Sequence, residues 1–271
     1  VLVADAPQTD TSFARLRERL ELSAFEARFR RAGLDLRVLD LRQEEWVAGE
    51  GVVQARRRLA GDPAGYVAFD LGRGSEFAEH GGGGRYYGAD YDAGEVNRHH
   101  TGGRHEYLIA RSAVAADVIF SVPKLKTHKK TGITAGLKNL VGINGDKNWL
   151  PHHTEWTWRA RGDERPEWNW RAWAERRGAE ALRELSLAWP QVMSQLHGWA
   201  RRGGESVFGE TDRVIRSGNW HGNDTCWRMC LDLNKIASYG NPDGTWRDAR
   251  PERRRRYYVL ADGIVAGEGL G

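Results

Sequence analysis

Cysteine, lysine and long apolar runs are what this chain lacks. It has two cysteines in 271 residues, too few for a disulfide framework, which fits a reducing compartment and a cytoplasmic location. Two thiols also fall short of a four-thiolate iron–sulfur cluster. Cys226 and Cys230 share a helical apolar stripe with Met229, Leu233, Ile236 and Ala237, so they read as small buried hydrophobes rather than a metal or redox pair. No run of 18 apolar residues occurs, and nothing reads as a membrane span. No signal peptide is legible. Val1 already lies in an apolar run and the chain closes on open-loop glycines, so both ends read as cut.

Lysine is the more telling scarcity. There are seven lysines against 34 arginines, and six of the seven (Lys124, Lys126, Lys129, Lys130, Lys138 and Lys147) lie within residues 124–147. The net charge is +4, but residues 121–148 carry +5, with Asp146 their one acid, and the rest of the chain carries −1. Positive charge confined to one segment is not the spread-out basic face that nucleic-acid binding uses, so nucleic acid is not expected as a partner. An ammonium is a compact point charge with a shiftable pKa, whereas guanidinium is a planar fork that keeps its proton. A chain that takes arginine nearly everywhere else has kept lysine here, which points to ammonium chemistry on a small anion.

The pattern along the chain alternates strands and helices. Residues 1–5 read as a buried strand ending on Asp5, residues 12–31 as a helix stopped by Gly33, and residues 36–41 and 66–69 as strands. A glycine-rich connection over 72–104 follows, and loops of that length are functional or mobile. A helix over 107–116, a strand over 117–122 closed by Pro123, and a helix over 134–141 come next. The expected fold is α/β, a mainly parallel sheet flanked by helices. Six of the twelve tryptophans fall within residues 149–173, among arginines, acids and prolines. That texture marks a Trp-rich helical insertion or lid over 149–204, between a first part of the α/β core (1–148) and a return to it (205–271). A last helix starts near Asn223 or Asp224, with Asp224, Arg228, Asp232 and Lys235 as a solvated salt-bridge row opposite its apolar stripe. A strand over 257–260 then leads to Asp262.

Residues 122–142 read VPKLKTHKKTGITAGLKNLVG. Lys124, Lys126 and His128 are expected just past a strand end, where ligands of parallel sheets bind, leading into a helix N-terminus that adds free N–H groups. Gly132 and Gly136 would let backbone approach a ligand closely, Thr131 and Thr134 add hydroxyls, and Lys138, followed by Asn139, lies one turn into the helix. No P-loop spacing is present. Asp5 and Asp262 each end a strand and would point into the same rim, as acid/base or cation-holding residues beside His128. His99, His100 and His105 lie near Asp90, Asp92 and Glu95. Adjacent histidines diverge, however, so structural roles are expected for them and for His152 and His153, with His99 and His100 left as the candidates for a metal.

These residues resemble the family known as domain of unknown function 362, whose members carry a strand, then P-K-x-K-T-H, then T-G-x-T-x-x-x-K-N-x-x-G. The likeness extends to DAPQTD at 5–10, YYGADY at 86–91, NRHH at 97–100, NGDKNWLPHH at 144–153, WHGNDT at 220–225 and ADGIVAGEG at 261–269. Members of this branch tend to be encoded near polysaccharide-biosynthesis enzymes, which implies a sugar-linked substrate. The spacing of His128 and Lys138 is also similar to nickel-pincer lactate racemase, with Gly136 at one glycine position and Ala135 in place of its neighbour. That likeness implies anion binding by the pair, while the softer ligands nickel favours are not evident. The expectation is an enzyme acting on a phosphorylated or carboxylated metabolite held by Lys124, Lys126, Thr131, Gly132, Thr134, Lys138 and Asn139, with His128 or one of the aspartates Asp5 and Asp262 moving a proton. No cofactor, reaction class or oligomeric state is assigned. The alternatives are a non-catalytic anion carrier or accessory protein, and a nickel-cofactor racemase-like enzyme.

Overall fold

The computed structural model describes residues 1–49, 52–88, 92–168 and 218–267, with scattered positions between 170 and 189. Strands β1 (Leu2–Asp5) and β2 (Arg37–Asp40) pair in parallel, setting Asp5 opposite Asp40. Between them the expected single helix is two, α1 (Phe13–Arg19) and α2 (Leu22–Arg31). The break falls at Glu21, whose φ of 50° lies in the left-handed region that a continuous helix cannot contain. Contrary to expectation β1 is exposed along its length, since it sits in a two-stranded sheet with β2 alone.

A hairpin not anticipated from the sequence follows, β3 (Glu44–Gly49) with β4 (Val52–Arg58), crossed by Glu44–Arg56 and Glu45–Arg57 ion pairs. Strand β5 (Tyr66–Asp70) precedes the glycine-rich stretch, which itself contains a short strand, β6 (Tyr86–Tyr87), and a helix, α3 (Ala93–His99), capped by the Asp92 side chain. The helix expected over 107–116 is half strand. Strand β7 (Glu106–Ala110) pairs antiparallel with β5, and only α4 (Arg111–Ala115) is helical. Tyr107 and Ile109, fully buried on one face of β7, carry the strand period.

Strand β8 (Val118–Ser121) leads through Pro123 into β9 (Lys124–His128), so the first lysines form a strand rather than the loop beyond one. β9 pairs antiparallel with β10 (Gly132–Thr134), and α5 (Gly136–Asn139) continues as a 3₁₀ turn, Leu140–Ile143. Strand β11 (His153–Thr154) pairs with β6, α6 spans Cys226–Tyr239, and the chain closes with β12 (Arg256–Val259) parallel to β8 and β13 (Asp262–Gly267) parallel to β9. The fold is α/β in content. Among the described residues, however, strands form small sheets of both senses, not one mainly parallel sheet.

Helix α6 is the centre of the core. Cys226, Met229, Cys230, Leu233 and Ile236 pack with Phe69, Phe77, Tyr86, Tyr107, Ile109, Leu140 and Leu150. Both cysteines are thus buried on the apolar stripe, as expected. Asp232 departs from the solvated row. It is fully buried and accepts from Ser75 Oγ at 2.5 Å, Glu76 N at 2.9 Å and Tyr107 OH at 3.1 Å, which meets the requirement that a buried carboxylate be hydrogen-bonded. Arg255 is also buried, and its guanidinium donates to the carbonyls of Val114, Ala116, Ala237 and Gly240, tying α4 to the end of α6. No helix among the described residues is long and apolar enough to cross a membrane. Within the stretch read as a lid, Leu150, His152, His153 and Thr154 are buried, while Trp156, Trp158 and Trp168 are exposed. Most of residues 169–204 lie outside the described residues.

Candidate functional site

Three features place the lysines. On β9 the side chains of Lys124, Lys126 and His128 fall at alternate positions, hence on one face. The β9–β10 turn closes at Gly132, whose φ of 75° suits glycine. Its shape is fixed by His128, whose Nδ1 accepts from Lys130 N at 3.2 Å and Thr131 N at 3.3 Å. Helix α5 then delivers Lys138. It is clamped to the β8–β12 ladder, because Tyr257 OH donates to Gly136 O at 2.6 Å and Asn139 Nδ2 to Ser121 Oγ at 3.0 Å.

Gly136 itself serves packing and not ligand approach. A Cβ there would sit 2.9 Å from Val259 Cγ1 and 3.2 Å from its Cβ, so the missing side chain makes room for β12. This corrects the expectation that Gly136 opens backbone to a ligand.

The charges that converge on His128 are Lys138, Lys130 and Lys126, all of one sign. With burial as the larger cause, they push its pKa down to about 4. With Nδ1 accepting two backbone N–H groups, the neutral ring carries its proton on Nε2. His128 is therefore a hydrogen-bond donor at neutral pH. Within the field of the same charges is His152, which sequence reasoning set aside as structural. His152 is buried, and its Nδ1 lies 2.8 Å from Leu150 O, which fixes the tautomer with a bare Nε2. Burial, then Lys138, Lys130 and His128, hold its pKa well below the usual range. Two neutral imidazoles thus share Lys138 and Lys130, one donating and one accepting.

Lys130, also absent from the expected ligand set, donates to Asn219 Oδ1 at 2.7 Å, bringing the residue just before the WHGNDT segment to the array. Lys147 lies deeper. It is nearly buried and donates to Val141 O at 2.6 Å, while burial lowers its pKa to about 7 against the opposing pull of Asp5. Asp5 reaches this place because Ala6 N donates to Gly142 O at 2.8 Å, which docks the end of β1 on the turn after α5. Although the residue is exposed as a whole, the protein atoms crowded around its carboxyl, Gly142 among them, desolvate it and raise the Asp5 pKa, with Lys147 the chief opposing charge. Lys130 and Lys147 were legible as members of the lysine run. His152 could have been found only through its place in NGDKNWLPHH.

Other expected residues lie apart from this array. Lys124 pairs with Asp262 at 2.6 Å in an exposed bridge across β9 and β13, so Asp262 and Asp5 have different charge partners. Thr131 Oγ1 is turned back onto Ile133 O at 3.0 Å, and the amide of Asn139 is engaged with Ser121. Thr134 Oγ1 is buried without a hydrogen-bond partner. The metal candidates diverge. His99 lies between Glu106 at 2.8 Å and Glu95 at 3.1 Å and stacks on Trp149. His100 is fully buried with Nε2 2.8 Å from Trp149 O. Among the described residues no group of three or more His, Cys, Asp or Glu side chains is arranged to hold a metal ion.

The strand–turn–helix unit that carries Lys126, His128, Lys130 and Lys138 lies within the span that the family comparison matches. The model of the family described as Domain of unknown function (DUF362) covers residues 61–271, and the chain belongs to that family. The match includes every residue of the lysine array but not Asp5. No curated protein and no solved structure matches the chain.

Proposed function

We propose that Lys126, Lys130 and Lys138, with His128 and His152, bind a small phosphorylated or carboxylated metabolite, sugar-linked in the polysaccharide-associated setting that the family resemblance implies. The observation that carries this reading is that Lys126 and His128 share one face of β9 and that the charges acting on His128 (Lys138, Lys130 and Lys126) include no acid among the described residues. An anion between them relieves mutual repulsion, and the His128 Nε2–H supplies a neutral donor at its edge. The bare Nε2 of His152 is a neutral acceptor suited to a ligand hydroxyl, because burial and the lysines that hold its pKa well below the usual range make it a poor base.

The test is to purify the protein gently, denature it and identify released small molecules by mass spectrometry, beside Lys126→Ala and Lys138→Ala. A phosphorylated or carboxylated compound released by the wild type and absent from both variants supports the reading. The same compounds from all three proteins, or no anion from any, would overturn it.

A further inference from the structure

A second basic site lies at the other end of the β8–β12 ladder. The lysine array stands beyond the carboxyl ends of these parallel strands, whereas a cleft of about 640 Å³ opens by their amino ends, beside Asp117 and Arg256. Six arginines and three acids line it. Two of the arginines are already committed. Arg255 is turned inward onto backbone carbonyls, and Arg250 is held by Asp248 at 2.6 Å with Glu252 at 3.9 Å. Among the described residues the other four, Arg247, Arg253, Arg254 and Arg256, make no ion pair. Arg247 has its Nε buried without a hydrogen-bond partner. Asp117 is the one lining acid not held by an ion pair, so positive charge remains in excess.

Local structure fixes where these forks sit. Arg247 follows α6, its backbone N donating to Tyr239 O at 2.7 Å. The 3₁₀ turn Pro251–Arg253 presents Arg253 and Arg254 at its end, and inward Arg255 leaves Arg254 and Arg256 exposed. Guanidinium binds oxyanions through paired N–H groups in a plane, and several forks around an open cleft suit adjacent anionic groups better than a single one.

We infer that this cleft is a second anion site, distinct from the lysine array, which binds a diphosphate group through the guanidinium forks of Arg247, Arg253, Arg254 and Arg256. Its open side leaves room for whatever the diphosphate is attached to.

The experiment is calorimetric titration of the whole chain with inorganic pyrophosphate and, separately, orthophosphate. It uses the wild type, Arg247→Lys, Arg253→Ala with Arg256→Ala, and Lys138→Ala. The expected result is saturable pyrophosphate binding at least tenfold tighter than orthophosphate. Arg247→Lys and the double variant, each also made in the Lys138→Ala background so that the lysine array takes up no pyrophosphate, should weaken it tenfold or more. Arg253 and Arg256 are exposed, so the double variant tests the site without disturbing the core. Pyrophosphate binding that survives both arginine variants, or that is lost only with Lys138→Ala, would overturn the inference, as would no preference over orthophosphate. The lysine-array reading stands or falls separately, on what its own variants release.

Discussion

Replacing Gly136 by alanine tests whether the lysine-bearing helix is built onto β12. An added Cβ would meet three atoms of Val259, two of them at 2.9 and 3.2 Å, and Val259 is β-branched and therefore stiff. Overpacking of this kind costs about 1–3 kcal/mol, while alanine recovers up to about 1 kcal/mol of helix propensity over glycine. The net loss is about 1–2 kcal/mol, or a fall in Tm of about 2–8 °C for a chain of this size. Val259→Ala alone, at a half-exposed position, should cost about 1 kcal/mol. In the double variant the clash with both Val259 methyls is gone and only the Cβ contact at 3.2 Å remains, so the two losses should fail to add by at least about 1 kcal/mol. Urea denaturation of the four proteins reads this directly. If Gly136→Ala is neutral by itself, or if the two changes are additive, α5 does not rest on β12 and the placement of Lys138 loses its support.

Other expectations follow from the same region. If Lys138 acts as a point ammonium, Lys138→Arg should lose anion affinity almost as fully as Lys138→Ala. Retention within about tenfold, or 1.4 kcal/mol, in a titration would reduce the residue to generic positive charge. Lys147, with a folded pKa of about 7 against 10.5, binds fewer protons folded than unfolded between those values. Stability should therefore rise with pH across that window by up to a few kcal/mol, and a Lys147→Met variant whose urea midpoints keep that slope would refute the assignment. His100, buried and held down to about 3, works in the acid range. The unfolded chain takes up its proton first, so stability should fall as pH drops from about 6.5 to 3, and His100→Gln should flatten that fall.

Much of this was legible in the sequence, for identifiable reasons. Strands β2, β5, β8 and β12 showed themselves as short apolar runs bounded by turn residues, and α6 by its 3.6-residue stripe. Strand β7 was misread because Ala110, Arg111, Ala113, Ala115 and Ala116 are helix formers, and their propensity masked the alternation of Tyr107 and Ile109. Strand β9 was missed because Lys-Leu-Lys-Thr-His has only one apolar residue, and its pairing depends on β10 and on β13, far away in sequence. Lysine clustering located the array, since composition reports chemistry directly. What it could not report was tautomer and burial. The backbone N–H groups on His128 and the carbonyl beside His152 decide which imidazole donates and which accepts, and neither contact leaves a mark in the pattern of residue types.

The run at 253–256 looks like the most dispensable text in the chain, four arginines in a row at a polar turn. Arg255 changes that, because its guanidinium satisfies carbonyls at the ends of two helices while Arg254 and Arg256 face water. The identity of each position is thus set by phase and not by composition. Swapping an outward arginine for another polar residue should leave the fold intact, yet inserting or deleting one residue between Pro251 and Arg254 would also shift this phase. The turn would have to absorb the change, or an inward position would be filled by a side chain at the wrong height for those carbonyls. A segment that reads as low-complexity surface is, for insertions and deletions, as strict as a core strand.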